Sequence, residues 1–360
     1  MIDRTVLCSI GHITVHRRYY ACGDCGAKAI PFDQWAGIGD RHVTEHARRM
    51  LTLAGMSWSF DKAAAGLKEL CHIDVSDDTI ERVCQEEGKL AAQWIESSPP
   101  AAQSFASASG EVELYSDGLM INTVEGWREM RMSVLAKREP GTPADPQDWS
   151  NRLLEDTTAR LAICAIAPAN IIGASWPRLC KQGGVQNGQS LSVIADGARW
   201  IWDQAAKRFK RNTMQWVVDI YHVSQHLHAC GKAMFGEGSQ ARTWADRYRD
   251  RLLEIQGPQF IAELDAEIEQ ATGATHRQAM TKLRSYLSDN RDSLWYADRL
   301  RAGLPIGSGL IEGACKNAPA ARLKLNSARW RIRRAERIGA LRCLDYSGQW
   351  EAYWLSRAAA

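Results

Sequence analysis

The rhythm of apolar and polar positions changes several times along the chain, and each change marks a segment. Up to about Phe32 the residues favour strands (Ile13, Val15, Tyr19, Tyr20) around a Cys22-Gly23-Asp24-Cys25-Gly26 turn. Across residues 44–95 the apolar positions recur at helical spacing. Thr44 is placed to cap a helix running toward Met56, and Ser59 to cap a second over residues 60–70. After a turn at 71–75, Ser76 or Asp78 starts a third helix with Ile80, Val83 and Cys84 on one face. This spacing fits a helix-turn-helix and equally an ordinary helical bundle. Residues 97–110 carry no charge and almost no large apolar side chain, which predicts an interdomain linker. Beyond it the pattern turns to strands at 112–117 and 127–136, paired through a turn near Glu125-Gly126. A surface loop with Pro140, Pro143 and Pro146 follows. Residues 161–167 read as a strand or a helix end. Short buried strands are predicted at 191–195, ending at Asp196, and at 215–218, ending at Asp219. The stretch 221–300 is polar and helical. Strands followed by alternation with helices predict a mixed α/β fold.

Composition narrows the class without naming a function. A chain of 360 residues holds two or three domains, and 45% apolar residues is ordinary for a globular protein. Ten cysteines in this length do not make a secreted disulfide framework. No segment approaches the roughly 20 apolar residues of a membrane span, and the N-terminus lacks the apolar core of a signal peptide. The expectation is a cytoplasmic protein with reduced thiols. A net charge of +3 does not announce a nucleic-acid binder. Its distribution says more: residues 313–342 hold nine Lys or Arg against one acid, Glu336. Such a run is either a solvated face or a phosphate-binding surface.

Three acidic residues sit where regular elements meet turns. Asp117 and Asp196 are each expected to close a strand and are each followed by glycine; Glu312 is expected in the first turns of a helix capped by Ser308, with Lys316 on the same face. Carboxylates at strand ends lie where open α/β sheets place ligands. An all-oxygen set suits Mg²⁺ or Mn²⁺, and two such ions can clamp an in-line phosphoryl displacement. Asp-Gly is also a common turn, so spacing alone leaves both readings open. Cys22 and Cys25 are half of a zinc ribbon, with Cys8 and His12 as the nearest further ligands, or a turn with free thiols.

Longer strings carry a resemblance. Val193-Ile194-Ala195-Asp196-Gly197-Ala198-Arg199-Trp200-Ile201-Trp202 resembles the second-aspartate motif of ISKra-type bacterial insertion-sequence transposases, relatives of the Mutator-like DDE enzymes. The string from Val217 to Leu227, with Asp219 and His222, looks like their Asp-x-x-His motif. The string from Ile306 to Asn317 resembles their glutamate motif, and Asp117 in Ser-Asp-Gly matches the first aspartate. The resemblance implies an RNase H-like catalytic core interrupted by a helical insertion, two Mg²⁺ or Mn²⁺ ions at Asp117, Asp196 and Glu312, and the double-stranded inverted-repeat ends of a mobile element as substrate. Asp219 and His222 are implied as supporting residues, and a dimer or larger assembly during synapsis. DNA contacts are expected from Lys316, Arg322, Lys324 and Arg329 on phosphates, and from Thr79 and Arg82 on bases.

The resulting organisation is a partial zinc-ribbon-like segment (1–38), a helix-turn-helix domain (39–96), a linker (97–110), the first part of the core (111–220), a helical insertion (221–302) and the closing part with the glutamate helix and basic tail (303–360). Three features depart from the family pattern: the absent upstream cysteine pair; Pro319, inside the helix that carries Glu312; and Asn326-Ser327-Ala328-Arg329-Trp330. The alternative is a transposon-derived protein that binds DNA without cutting it. Pro319 and the absence of the family's upstream cysteine pair point that way.

Overall fold

The computed structural model describes residues 1–36, 38, 42–186 and 189–358. The expected boundary between 38 and 39 therefore lies outside the described residues. Two compact units form, the first from residues 1–101, 121–128 and 317–360, the second from 102–120 and 129–316.

The first unit opens with an antiparallel hairpin, β1 (Ile2–Cys8) and β2 (Gly11–Arg17). A two-residue pair follows, β3 (Tyr20–Ala21) and β4 (Lys28–Ala29), with Cys22 and Cys25 in its turn. After α1 (Pro31–Trp35) come the three expected helices: α2 (Glu45–Ser57), α3 (Phe60–Cys71) and α4 (Asp77–Ser97). Thr44 and Ser76 cap as expected, accepting from the backbone N–H of Ala47 and Thr79. Ser59 occupies its cap position, but its side chain makes no capping bond; it bonds Asp61 instead. The α3 helix stops at His72, which takes the left-handed conformation (φ 57°).

The segment 97–110 is more structured than a linker. It forms a 3₁₀ turn (Pro99–Ala102) and α5 (Gln103–Ser107), and Phe105 is wholly buried. The boundary between the two units nevertheless falls inside it.

The second unit is built on a five-stranded mixed sheet. Its strands are β5 (Glu111–Thr123), β6 (Gly126–Arg138), β7 (Thr157–Ala165), β8 (Leu191–Ala195) and β9 (Met214–Val218), in the order β7-β6-β5-β8-β9. The Val124-Glu125 turn leaves room only for an antiparallel β5–β6 hairpin; its tip, residues 121–128, belongs to the first unit. β6 and β7 are antiparallel, so residues 161–165 of the ambiguous run are strand, and 166 and 167 lie beyond its end. β5, β8 and β9 are parallel neighbours. The crossovers are α6 (Ala169–Gln182) and α7 (Arg199–Arg208). Trp176 of α6 is wholly buried and donates its indole N–H to Ser133 Oγ of β6 at 2.8 Å. The stretch after β9 is helical as expected: α8 (Ile220–Phe235), α9 (Ser239–Glu254), α10 (Gly257–Gln270), α11 (Ala274–Asp289) and α12 (Tyr296–Arg301). Then comes α13 (Gly309–Cys315), the glutamate helix. No helix among the described residues is long and apolar enough to cross a membrane.

Pro319 does not break the chain where a helix-interior proline is expected to. Residues Lys316–Ala320 form a π-helical turn that contains it. A wider turn accommodates the ring and the missing N–H. Arg342 donates to the Asn317 and Ala318 carbonyls in this turn. After α14 (Ala321–Leu323), the tail forms α15 (Ile332–Tyr346) and α16 (Trp350–Ala358). The tail was expected to close the core, but residues 317–360 cluster with the first unit. The reason is close packing of α15 on α4: a Cβ on Gly88 would stand 2.5 Å from the Arg337 carbonyl oxygen. Gly88→Ala is therefore expected to destabilise the first unit by about 1–3 kcal/mol. A thermal melt checks this, and an unchanged midpoint would show that the two backbones separate freely.

Candidate active site

The three parallel strands each deliver one aspartate to the same edge of the sheet. β8 ends at Ala195 and Asp196 follows at once. β9 ends at Val218 and Asp219 follows. Asp117 was expected to close its strand, but β5 runs on to Thr123. What ends near Asp117 is the pairing with β8, whose last partners are Tyr115 and Ile194. Beyond that point β8 no longer flanks β5, and Asp117 lies where the sheet opens.

The two glycines do different work. Gly197 has φ +95°, so the chain turns sharply after Asp196, as expected. Gly118 continues the strand; a Cβ there would stand 2.2 Å from Glu129 Oε1. Its role is to leave space for Glu129, an acid of β6 that no motif marks. Glu129 is ion-paired with Arg131.

Backbone amides orient two of the carboxylates. Asp117 Oδ1 accepts from the Gly118 N–H at 2.7 Å, and Asp196 Oδ1 from the Ala198 N–H at 2.9 Å. Burial pushes the Asp117 carboxyl above its ordinary pKa; the charges of Asp196, Glu312 and Glu129 push the same way, against the Gly118 hydrogen bond. Asp117 therefore feels both other expected acids. Glu312 itself is half exposed, with Lys316 Nζ 4.0 Å from its Oε2. Among the described residues, no three His, Cys, Asp or Glu side chains form a metal-ligating group. The acids share a field, and their side chains are not closed around one point.

Asp219 holds this edge together. It is buried, accepts the Tyr221 N–H through Oδ1 at 2.8 Å, and accepts the Ser308 hydroxyl through Oδ2. Ser308 was expected to cap the glutamate helix, but its side chain makes no capping bond and is spent on Asp219. The Ile220 N–H donates to the Ile306 carbonyl, so the turn before Glu312 is fixed to the end of β9. Arg299 of α12, nearly fully buried, donates to the Pro305 carbonyl, Ser192 Oγ of β8 and Gln215 Oε1 of β9. No motif marks Arg299, and its role is visible only in three dimensions.

His222 lies one turn from His226 on α8, their rings edge-on at 5.8 Å. His226 stacks on Tyr286 of α11 at 3.6 Å. The Tyr286 hydroxyl is buried and has no hydrogen-bond partner among the described residues; it lies 3.6 Å from where a Gly197 Cβ would stand. Burial raises its pKa, and the charges of Asp196 and Asp219 add to the shift. Tyr286 also went unseen in the sequence, since a tyrosine in a polar helix gives no signal.

The expected DNA-contacting residues divide. Lys316 and Lys324 are exposed. Arg322 is buried: its Nε donates to the Gly55 carbonyl, and its guanidinium lies 4.6 Å from the Phe60 ring centroid and 4.9 Å from that of Trp330. It is a core strut of the first unit, not a surface phosphate contact. Arg329 is exposed, but its guanidinium donates to the Thr123 and Val124 carbonyls. Thr79 takes part in the cap of α4, and Arg82 is exposed and paired with Glu86 at 3.2 Å. The start of α4 also carries Asp77, Asp78 and Glu81, which oppose phosphate approach there. Cys22 and Cys25 are both exposed, and backbone N–H groups of Cys25 and Asp24 hold the Cys22 thiol below its ordinary pKa. Cys8 and His12 are engaged elsewhere, at the Gly11 and Asp74 carbonyls. Compared with known proteins, the chain matches no family model and no curated protein.

Proposed function

We propose that the chain is a DDE transposase, a metal-dependent enzyme that cuts and joins DNA at the inverted-repeat ends of a mobile element. One observation carries the reading: Asp117 and Asp196 stand at one edge of adjacent parallel strands, and the charge of Glu312 reaches Asp117 from a distant part of the chain. The mixed five-stranded sheet supports an α/β core of the kind the sequence resemblance implies, and the run of helices between β9 and α13 supports the implied insertion.

The donor set fits a hard divalent cation. All three groups are carboxylates, and their mutual repulsion is the field a cation relieves. Asp117, Asp196 and Glu312 would hold Mg²⁺ or Mn²⁺. When bound, such ions activate the attacking oxygen and stabilise the leaving one. In the first cut, water attacks a phosphodiester phosphorus, the P–O3′ bond breaks, the water proton passes to solvent and the departing O3′ takes up a proton from solvent to become a hydroxyl. In joining, the freed 3′-hydroxyl attacks a target phosphodiester in the same way. Asp117 and Asp196 contribute charges fixed by backbone N–H groups. Asp219, through Ser308, sets the position of the Glu312 helix. Lys316, exposed beside Glu312, can neutralise a substrate phosphate.

The test is cleavage of a labelled duplex ending in the element's inverted repeat, with Mg²⁺ or Mn²⁺ and with EDTA. Metal-dependent nicking at the element boundary is expected. Binding without nicking in any divalent metal would establish the non-cutting alternative instead.

A further inference from the structure

A cavity of about 360 Å³ in the second unit adjoins the acidic edge without belonging to it. It is lined by Trp149 and Arg152 from the loop between β6 and β7, by Tyr221 from the first turn of α8, and by Ile306, Gly307 and Leu310 before and within α13. The Trp149 and Tyr221 rings form one wall, their centroids 5.3 Å apart and their planes tilted by 54°. Tyr221 is 56% exposed although its ring is large and apolar.

Arg152 supplies the charge. It is half-buried and spends one guanidinium nitrogen on the Leu304 carbonyl at 2.8 Å. Among the described residues no carboxylate pairs with it. Arg138 repels it and is itself engaged by Glu113. Burial pushes the Arg152 guanidinium below its ordinary pKa, the mark of a desolvated cation without a counter-charge. Such a group in a cavity wall is a receptor for an anion.

An anion site beside a two-ring aromatic wall and an apolar floor selects a ligand that is both phosphorylated and flat. The cavity has the size of one such unit, not of a base pair. It also shares the Gly307-Ser308 turn with the acidic edge: a Gly307 Cβ would stand 3.3 Å from the Tyr221 ring and 3.4 Å from Asp219 Oδ1. We infer that this cavity receives one unpaired nucleotide of a DNA end, its phosphate on Arg152 and its base against Trp149 and Tyr221. This rests on DNA being the substrate, and it adds a subsite that sorts frayed or single-stranded ends from paired ones.

The experiment uses the full chain in EDTA, so that no cutting intervenes. Anisotropy compares a blunt duplex of about 20 base pairs with the same duplex bearing a short 3′ overhang that contains 2-aminopurine. The overhang is expected to bind about ten-fold tighter, with quenched 2-aminopurine emission. Trp149→Ala and Arg152→Gln should each remove that advantage while leaving blunt binding and the thermal midpoint unchanged; Arg152→Lys should keep part of it. Free dAMP that displaces the overhang would support the cavity and make the nucleotide itself the ligand. Equal binding of the two duplexes, or an advantage that survives both substitutions, would overturn the subsite and leave the proposed function standing. Failure to bind either duplex would overturn both.

Discussion

Asp196→Asn is expected to reduce strand cleavage by at least ~10³-fold, about 4 kcal/mol in the barrier, while leaving the fold intact. The substitution keeps the size of the side chain, and the amide oxygen can still accept the Ala198 N–H. What it removes is the charge, and with it one oxygen donor suited to a hard cation. The measurement is single-turnover cleavage of a labelled element end, with a thermal melt alongside. An unchanged melt with lost cleavage assigns the loss to chemistry. Undiminished cleavage would remove Asp196 from the site and with it the two-ion reading. Glu129→Gln is the informative companion. Glu129 lies near Asp117 but was not among the acids expected from the motifs, so a small effect separates it from the three that were.

The largest stability effect is expected at Glu87. Its carboxylate is fully buried in the first unit, and three helices converge on it. Arg48 of α2 donates to Oε1 at 2.7 Å, and Tyr353 of α16 donates to Oε2 at 2.7 Å. Arg357 stands 3.5 Å from Oε2. Arg48 is itself 2% exposed. Glu87→Ala leaves that guanidinium buried with only the half-exposed Glu86 beside it. Removing one partner of a buried pair in this way costs about 3–5 kcal/mol. Thermal or denaturant unfolding should show a loss of that size, with a smaller loss for Glu87→Gln, which retains one acceptor oxygen. A change under about 1 kcal/mol would mean that water replaces the carboxylate.

The elements were legible where pattern and boundary agreed. β8 and β9 are short, mostly apolar runs, interrupted only by Ser192 and Gln215 and bounded by Asp-Gly and by Asp219, and they fall where the sequence places them. The three helices of the first unit carried cap residues and apolar periodicity, and they too fall in place. The misreadings share one cause: the sequence gives residue type but not neighbourhood. Asp117-Gly118 reads as a strand end, because glycine after aspartate usually turns; here it makes space for Glu129 across the hairpin. Arg322 reads as one more cation in a basic run, and only packing shows it between Phe60 and Trp330. Pro319 reads as a helix break, because the rule assumes α-geometry, which the π-turn abandons. The pieces that register the site, Arg299 and the Ser308–Asp219 hydrogen bond, pair residues far apart in sequence and leave no local trace.

The Ser308–Asp219 bond closes a loop, since its partners are 89 positions apart. The entropy of closing a loop rises only with the logarithm of its length, so halving or doubling it changes stability by about 0.6 kcal/mol. The position of Glu312 is set by the fastening at the two ends of this loop, not by the number of residues between them. Insertions and deletions within α9 to α11 are therefore nearly neutral for the placement of the third carboxylate. The helices there are free to diverge in length, provided that Asp219, Tyr286, Arg299 and Ser308 stay where they are.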